Sequence, residues 1–190
     1  MRHDYYYYDR QALLAAPKVP IEVLVDNAAV FQAIAREMAE EIKRKNALGE
    51  ITVFICPVGP VGQYPYFVDM VNGEEISLKN VWFLNMDEYL TDDKQWIDRG
   101  DKLSFRGFME RTVYSKIKPE LVMPESQRVF PDPDDPENMA RVIGKLGGVD
   151  ICFGGIGING HLAFNEAQDE LTPEQFKQLH TRVLEISRET

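Results

Sequence analysis

Three short apolar runs constrain this chain most. ITVFIC (51–56), VWFLN (81–85) and VDICF (149–153) show almost no polar–apolar alternation. A strand wetted on one face alternates, whereas a continuous apolar run suits a strand covered on both faces, the habit of parallel sheets. Between the runs the period changes to that of a helix. After Asp26 and Asn27, residues that can cap a helix, Val30, Phe31, Ile34, Met38 and Ile42 fall on one helical face, and Gly49 can end it. A helix through Tyr66, Phe67 and Met70 follows the first run, and a polar loop (91–102) leads to a helical pattern over about 104–117. Asp135 with Pro136 opens a helix that Gly147 and Gly148 close, and Thr172 with Pro173 opens another. IEVLV (21–25) and TRVLEIS (181–187) read as further strands. This alternation predicts a doubly wound α/β domain: a parallel sheet, helices on both faces, right-handed crossovers. Its 190 residues suit a single domain, 1–190.

The formal charge of −10 argues against nucleic acid as a partner, because a phosphate backbone needs a basic face. It leaves a small anionic ligand open, since a few N–H groups hold one phosphate. No run is long enough to span a membrane, so no membrane partner is expected. The N-terminus has no apolar signal core, which reads as cytoplasmic. Cys56 and Cys152 both sit in apolar runs and are expected to be buried strand residues, not a disulfide or metal pair. The run Tyr5–Tyr8 reads as an N-terminal arm packed on the surface, and His3 and His180 as surface residues.

In open parallel sheets the site lies beyond the carboxyl ends of the strands. That edge receives three unusual segments: PVGPVG (57–62), MDEY (86–89) and GGIGINGH (154–161). Asp87 and Glu88 are either a solvated strand end or carboxylates at a pocket edge, where desolvation raises a pKa enough to take a proton from carbon. Gly59 and its neighbours let backbone N–H groups approach a phosphate, although Pro60 removes one donor and a plain strand-to-helix turn reads nearly as well. Gly154, Gly155, Gly157 and Gly160 make a loop able to press its backbone against a ligand. His161 sits inside that loop with Glu166 five residues on, and such a pair can exchange protons with a ring oxygen near neutral pH.

Taken together, LNMDEYL, SFRGFMER and GGIGINGHLAFNE resemble the glucosamine-6-phosphate deaminase/isomerase family, relatives of the 6-phosphogluconolactonases, over about residues 21–187. The resemblance implies a NagB/ribose-5-phosphate-isomerase-like fold and a small phosphorylated sugar as partner. It implies a hydrolase or isomerase of amino-sugar metabolism that turns glucosamine 6-phosphate into fructose 6-phosphate and ammonia. It implies Asp87 as the proton shuttle between sugar carbons 1 and 2, His161 as the group that opens the pyranose ring, and Glu166 as its assisting carboxylate. Val58, Gly59 and Val61 match the phosphate-side loop, and Glu88, Gly155 and Gly157 line the substrate. No metal or organic cofactor is implied, and a homo-oligomer stays open.

The chain departs from the family pattern in three places. Asn159 stands where the family usually has an aspartate; an amide can orient the ring but supplies no charge. Val58 and Val61 replace hydroxyl residues. Family members also continue further, so the chain is expected to lack the C-terminal portion that supplies phosphate-binding cations, with Arg182 and Arg188 the nearby cations here. These departures keep a second reading alive, a sugar-phosphate-binding paralogue with little turnover. A lactonase-like reading is disfavoured, because that chemistry does not need MDEY.

Overall fold

The computed structural model describes residues 7–15, 17–166 and 168–187. Its elements are α1 (Arg10–Ala15), α2 (Asn27–Leu48), β1 (Thr52–Cys56), α3 (Gln63–Gly73), β2 (Val81–Asn85), α4 (Phe105–Thr112), β3 (Arg128–Val129), α5 (Asn138–Leu146), β4 (Ile151–Cys152) and α6 (Pro173–Phe176). The strands form one parallel sheet in the order β3-β2-β1-β4. Among the described residues no helix is long and apolar enough to cross a membrane.

β1 and β2 pair along their whole length, Thr52 opposite Val81 through Cys56 opposite Asn85. Alternate side chains leave opposite faces of a strand, so each apolar run feeds two cores. Phe54 and Cys56 of β1, with Val81 and Phe83 of β2, meet Met38 and Ile42 of α2 and Phe67 and Val71 of α3. The Phe83 ring lies 6.1 Å from Phe54 and 5.9 Å from Phe67. On the other face Val53 and Leu84 meet Met139, Val142, Ile143 and Leu146 of α5. Burying each such side chain contributes about 1.5–3 kcal/mol. Helices therefore cover both faces, as the uninterrupted apolar runs require.

The helix punctuation is local chemistry. The Asp26 carboxylate accepts from Ala29 N–H at 2.8 Å to start α2, a cap that contributes about 1 kcal/mol. Gly49, at φ 69°, and Gly147, at φ 84°, close α2 and α5 in the left-handed conformation that side chains disfavour. The buried stripe of α2 is Ala35, Met38, Ala39 and Ile42, while Val30 stands at the wet margin.

Several expectations are corrected. IEVLV (21–25) forms no strand, and Ile21, Val23 and Val25 are 47%, 50% and 90% exposed. TRVLEIS (181–187) is likewise irregular. β-rich composition alone does not make a strand; a neighbouring ladder must accept it, and neither segment has one. The last apolar run shortens to two residues because it pairs only with β1, at the sheet edge, and Cys152 is exposed there while Cys56 is buried. α5 starts at Asn138, because Asp135 engages Arg141 instead of capping the first turn. The pattern at 104–117 divides into α4 and a 3₁₀ turn at Tyr114–Lys116. Tyr7 and Tyr8 are exposed, not packed down. His3, Tyr5, Tyr6 and Arg188 lie outside the described residues.

Candidate active site

β1, β2 and β4 run in the same direction, so the loops that follow them share one edge of the sheet. A cleft of about 520 Å³ opens there. Val58 and Gly59 line it from the first loop, Asp87 from the second, and Gly155, Gly157 and His161 from the third. Val61 is exposed and does not reach the cleft wall, while Val58 also packs against the core.

Asp87 follows directly from the buried end of β2, where Asn85 is 1% exposed. Burial, and then the neighbouring Glu88 charge, push its carboxyl up to about 7. A carboxylate there exchanges protons near neutrality. Asp87 also borders a second cavity of about 870 Å³, which reaches Arg182 on the 179–186 segment.

Glu88, adjacent in sequence, has another task. Its side chain is 1% exposed. One oxygen accepts from Tyr89 and Phe105 N–H, both at 2.9 Å, and the other from Arg106 N–H at 2.8 Å. The Arg106 guanidinium adds a contact at 3.3 Å. With Ser104 capping Gly107 N–H at 3.1 Å, the start of α4 is fully provided with acceptors. Glu88 thus ties the loop after β2 to α4; it is not among the residues lining this cleft, although it borders the larger cavity together with Asp87.

His161 is held from behind. Its Nδ1 lies 2.6 Å from Asn159 Oδ1, which also accepts from His161 N–H at 3.2 Å. Asn159 Nδ2 donates to Glu166 Oε1 at 2.9 Å. Asn159 therefore stands between the histidine and the carboxylate expected to assist it. Glu166 in turn accepts from Ser187 Oγ at 2.7 Å and Ser187 N–H at 3.0 Å.

The glycines of this loop serve close packing within the protein. A Cβ on Gly157 would lie 2.0 Å from His161 Nε2, and one on Gly155 would lie 2.8 Å from Pro60 Cδ. The first lets the imidazole lie flat on backbone; the second lets the two loops of the cleft touch.

Residues that sequence reasoning passed over complete the wall. Tyr89, Phe105 and Phe164 form an aromatic cluster, with centroids 4.9 Å apart for Tyr89–Phe164 and 5.1 Å for Tyr89–Phe105, and all three line the cleft. Tyr89 and Phe164 sit inside MDEY and GHLAFNE, where only the titratable neighbours drew attention. Ser187 had no local signal.

No family model matches the chain. A curated glucosamine-6-phosphate deaminase of Bacteroides thetaiotaomicron is 33% identical over 155 residues, which is 77% of this chain and 54% of that protein. Over the matched residues this chain belongs to the glucosamine-6-phosphate deaminase/isomerase family. A family relative from Caenorhabditis elegans is 29% identical over 177 residues, 91% of this chain and 61% of that protein. The chain thus spans little more than half the length of the curated deaminases it matches. A solved monomeric glucosamine-6-phosphate deaminase of the NagB superfamily superposes with a TM-score of 0.59 at 28% identity, over 72% of this chain and 55% of that one. A devB protein shares the fold, with a TM-score of 0.53 at 18% identity over 70% of this chain and 57% of that one. The deaminase names support an enzyme of this family and do not extend to the broader hydrolase class expected above.

Proposed function

We propose that this chain carries the deaminase/isomerase chemistry on an amino-sugar phosphate, with glucosamine 6-phosphate as substrate. The observation that carries the reading is Asp87, its carboxyl raised to about 7, lining one cleft with His161. His161 takes the proton of the anomeric hydroxyl and returns one to the ring oxygen, which opens the pyranose. The Asp87 carboxylate then removes the proton on carbon 2 and delivers it to carbon 1, while one amine proton passes to the carbon-1 oxygen, leaving a hydroxyl at carbon 1 and an imine at carbon 2. Water adds to that carbon and ammonia departs, giving fructose 6-phosphate. The phosphate is assigned to the Val58–Gly59 side of the cleft, the loop that the family resemblance matches to the phosphate. Two cysteines outside any disulfide fit a reducing, cytoplasmic compartment.

Ammonia release from glucosamine 6-phosphate by the purified chain tests this reading, with calorimetry on the same samples. A second reading, a sugar-phosphate-binding paralogue, is favoured by the neutral Asn159 beside His161. Heat of binding without ammonia would select it; ammonia would exclude it.

A further inference from the structure

We infer that Ser187 and Glu166 act through Asn159 as positioning residues that hold the His161 imidazole in one tautomer, with the proton on Nδ1 and the lone pair on Nε2. This rests on the reading that His161 takes the sugar's proton, and it says which ring nitrogen does so.

The relay begins at a group with one option. An ionised carboxylate only accepts hydrogen bonds. Among the described residues, Glu166 accepts from Ser187 Oγ at 2.7 Å, Ser187 N–H at 3.0 Å and Asn159 Nδ2 at 2.9 Å. The Asn159 amide is thereby oriented, nitrogen toward Glu166 and oxygen toward the ring. Amide oxygen cannot donate, so the 2.6 Å contact with His161 Nδ1 requires the hydrogen on the imidazole. The His161 backbone N–H, at 3.2 Å from the same oxygen, reinforces that orientation. A neutral imidazole carries one N–H, so Nε2 is left as the base. An aspartate at 159 would fix the ring by charge. Here an amide fixes it by direction, and the direction is set by Glu166, which Ser187 helps to seat through two hydrogen bonds.

Nitrogen-15 NMR of histidine-labelled 190-residue protein at alkaline pH reads the tautomer directly, with the His161 signals identified by their loss in His161→Gln. The wild-type spectrum should show a protonated-type Nδ1 and a lone-pair-type Nε2. Glu166→Gln can turn its own N–H toward Asn159 Oδ1, letting the Asn159 amide reverse, so the Nε2–H form should become the major one. Ser187→Ala should raise that form severalfold, Ser187→Thr should restore the wild-type spectrum, and kcat for Ser187→Ala should fall on the order of tenfold with KM nearly unchanged. An Nε2–H tautomer in the wild type overturns the inference without any variant. So does an unchanged tautomer in folded Glu166→Gln and Ser187→Ala. The expected spectra without ammonia release would uphold the relay and refute the substrate reading instead.

Discussion

Asp87 and His161, carried by the loops after β2 and β4, line the same cleft although they lie on different strand ends in the sheet. A group suited to moving a carbon-bound proton and a group suited to opening a sugar ring thus share one space. The neighbouring β1 loop, with Val58 and Gly59, completes that space on its third side.

The raised Asp87 carboxyl gives activity a limb on the acid side. Only the ionised form removes a proton from carbon, so kcat/KM should fall about tenfold per pH unit below about 7. A pH–rate profile with no limb near neutrality would remove Asp87 as the base.

The same shift makes a stability prediction of known sign. The folded-state value, about 7, lies above the unfolded carboxyl's 3.8, so the folded protein binds the extra proton and ionising Asp87 costs stability as pH rises through that window. Asp87→Asn should therefore unfold later than wild type at about pH 8, by up to ~4 kcal/mol, and lose the advantage toward pH 4. Chemical denaturation at the two pH values checks it; equal stabilities at both would contradict the burial of the charge.

Glu88 should matter for folding more than for substrate. Glu88→Ala leaves Arg106 and the first N–H groups of α4 without their acceptor, so a loss of about 3–5 kcal/mol is expected. A melting temperature near wild type with a raised KM would return Glu88 to the substrate.

Gly157→Ala should remove activity while leaving most of the stability. The added methyl would occupy the place of His161 Nε2, and the ring, on a partly exposed loop, must move. Unchanged kcat in Gly157→Ala would show that the ring position is not used.

Asn159→Asp is not expected to improve turnover, even though the family resemblance implies an acid at that position. The substitution would set a second carboxylate oxygen about where Asn159 Nδ2 now lies, 2.9 Å from Glu166 Oε1. Two like charges at that distance repel unless they share a proton. Steady-state kinetics decide it: a severalfold gain in kcat would contradict the amide bridge.

Much of this was legible in the residues. β2 occupies VWFLN to the residue, and Asp26 and Gly49 bound α2 as their side-chain chemistry requires. The site edge follows from parallel strands alone, which place Asp87 and His161 on one side before any packing is known. The two missing strands have one cause. IEVLV and TRVLEIS carry strand-forming residues, but a strand exists only where another offers its backbone, and that is a property of the assembled sheet. Within the site, Glu88 reads like Asp87 because the two share a motif; only Asp87 lines the cleft, while Glu88 accepts from the first N–H groups of α4. Ser187 is invisible to local pattern because its partner lies 21 residues earlier.

The most direct measurement follows the proton itself. Glucosamine 6-phosphate deuterated at carbon 2 would be given to the wild-type chain and to Asp87→Asn, with ammonia and the isotope at carbon 1 of the product recorded together. Asp87 as shuttle predicts ammonia release with deuterium moved to carbon 1 or lost to water, and a loss of both by at least about 10²-fold in the variant. Ammonia released at the wild-type rate by Asp87→Asn would contradict it.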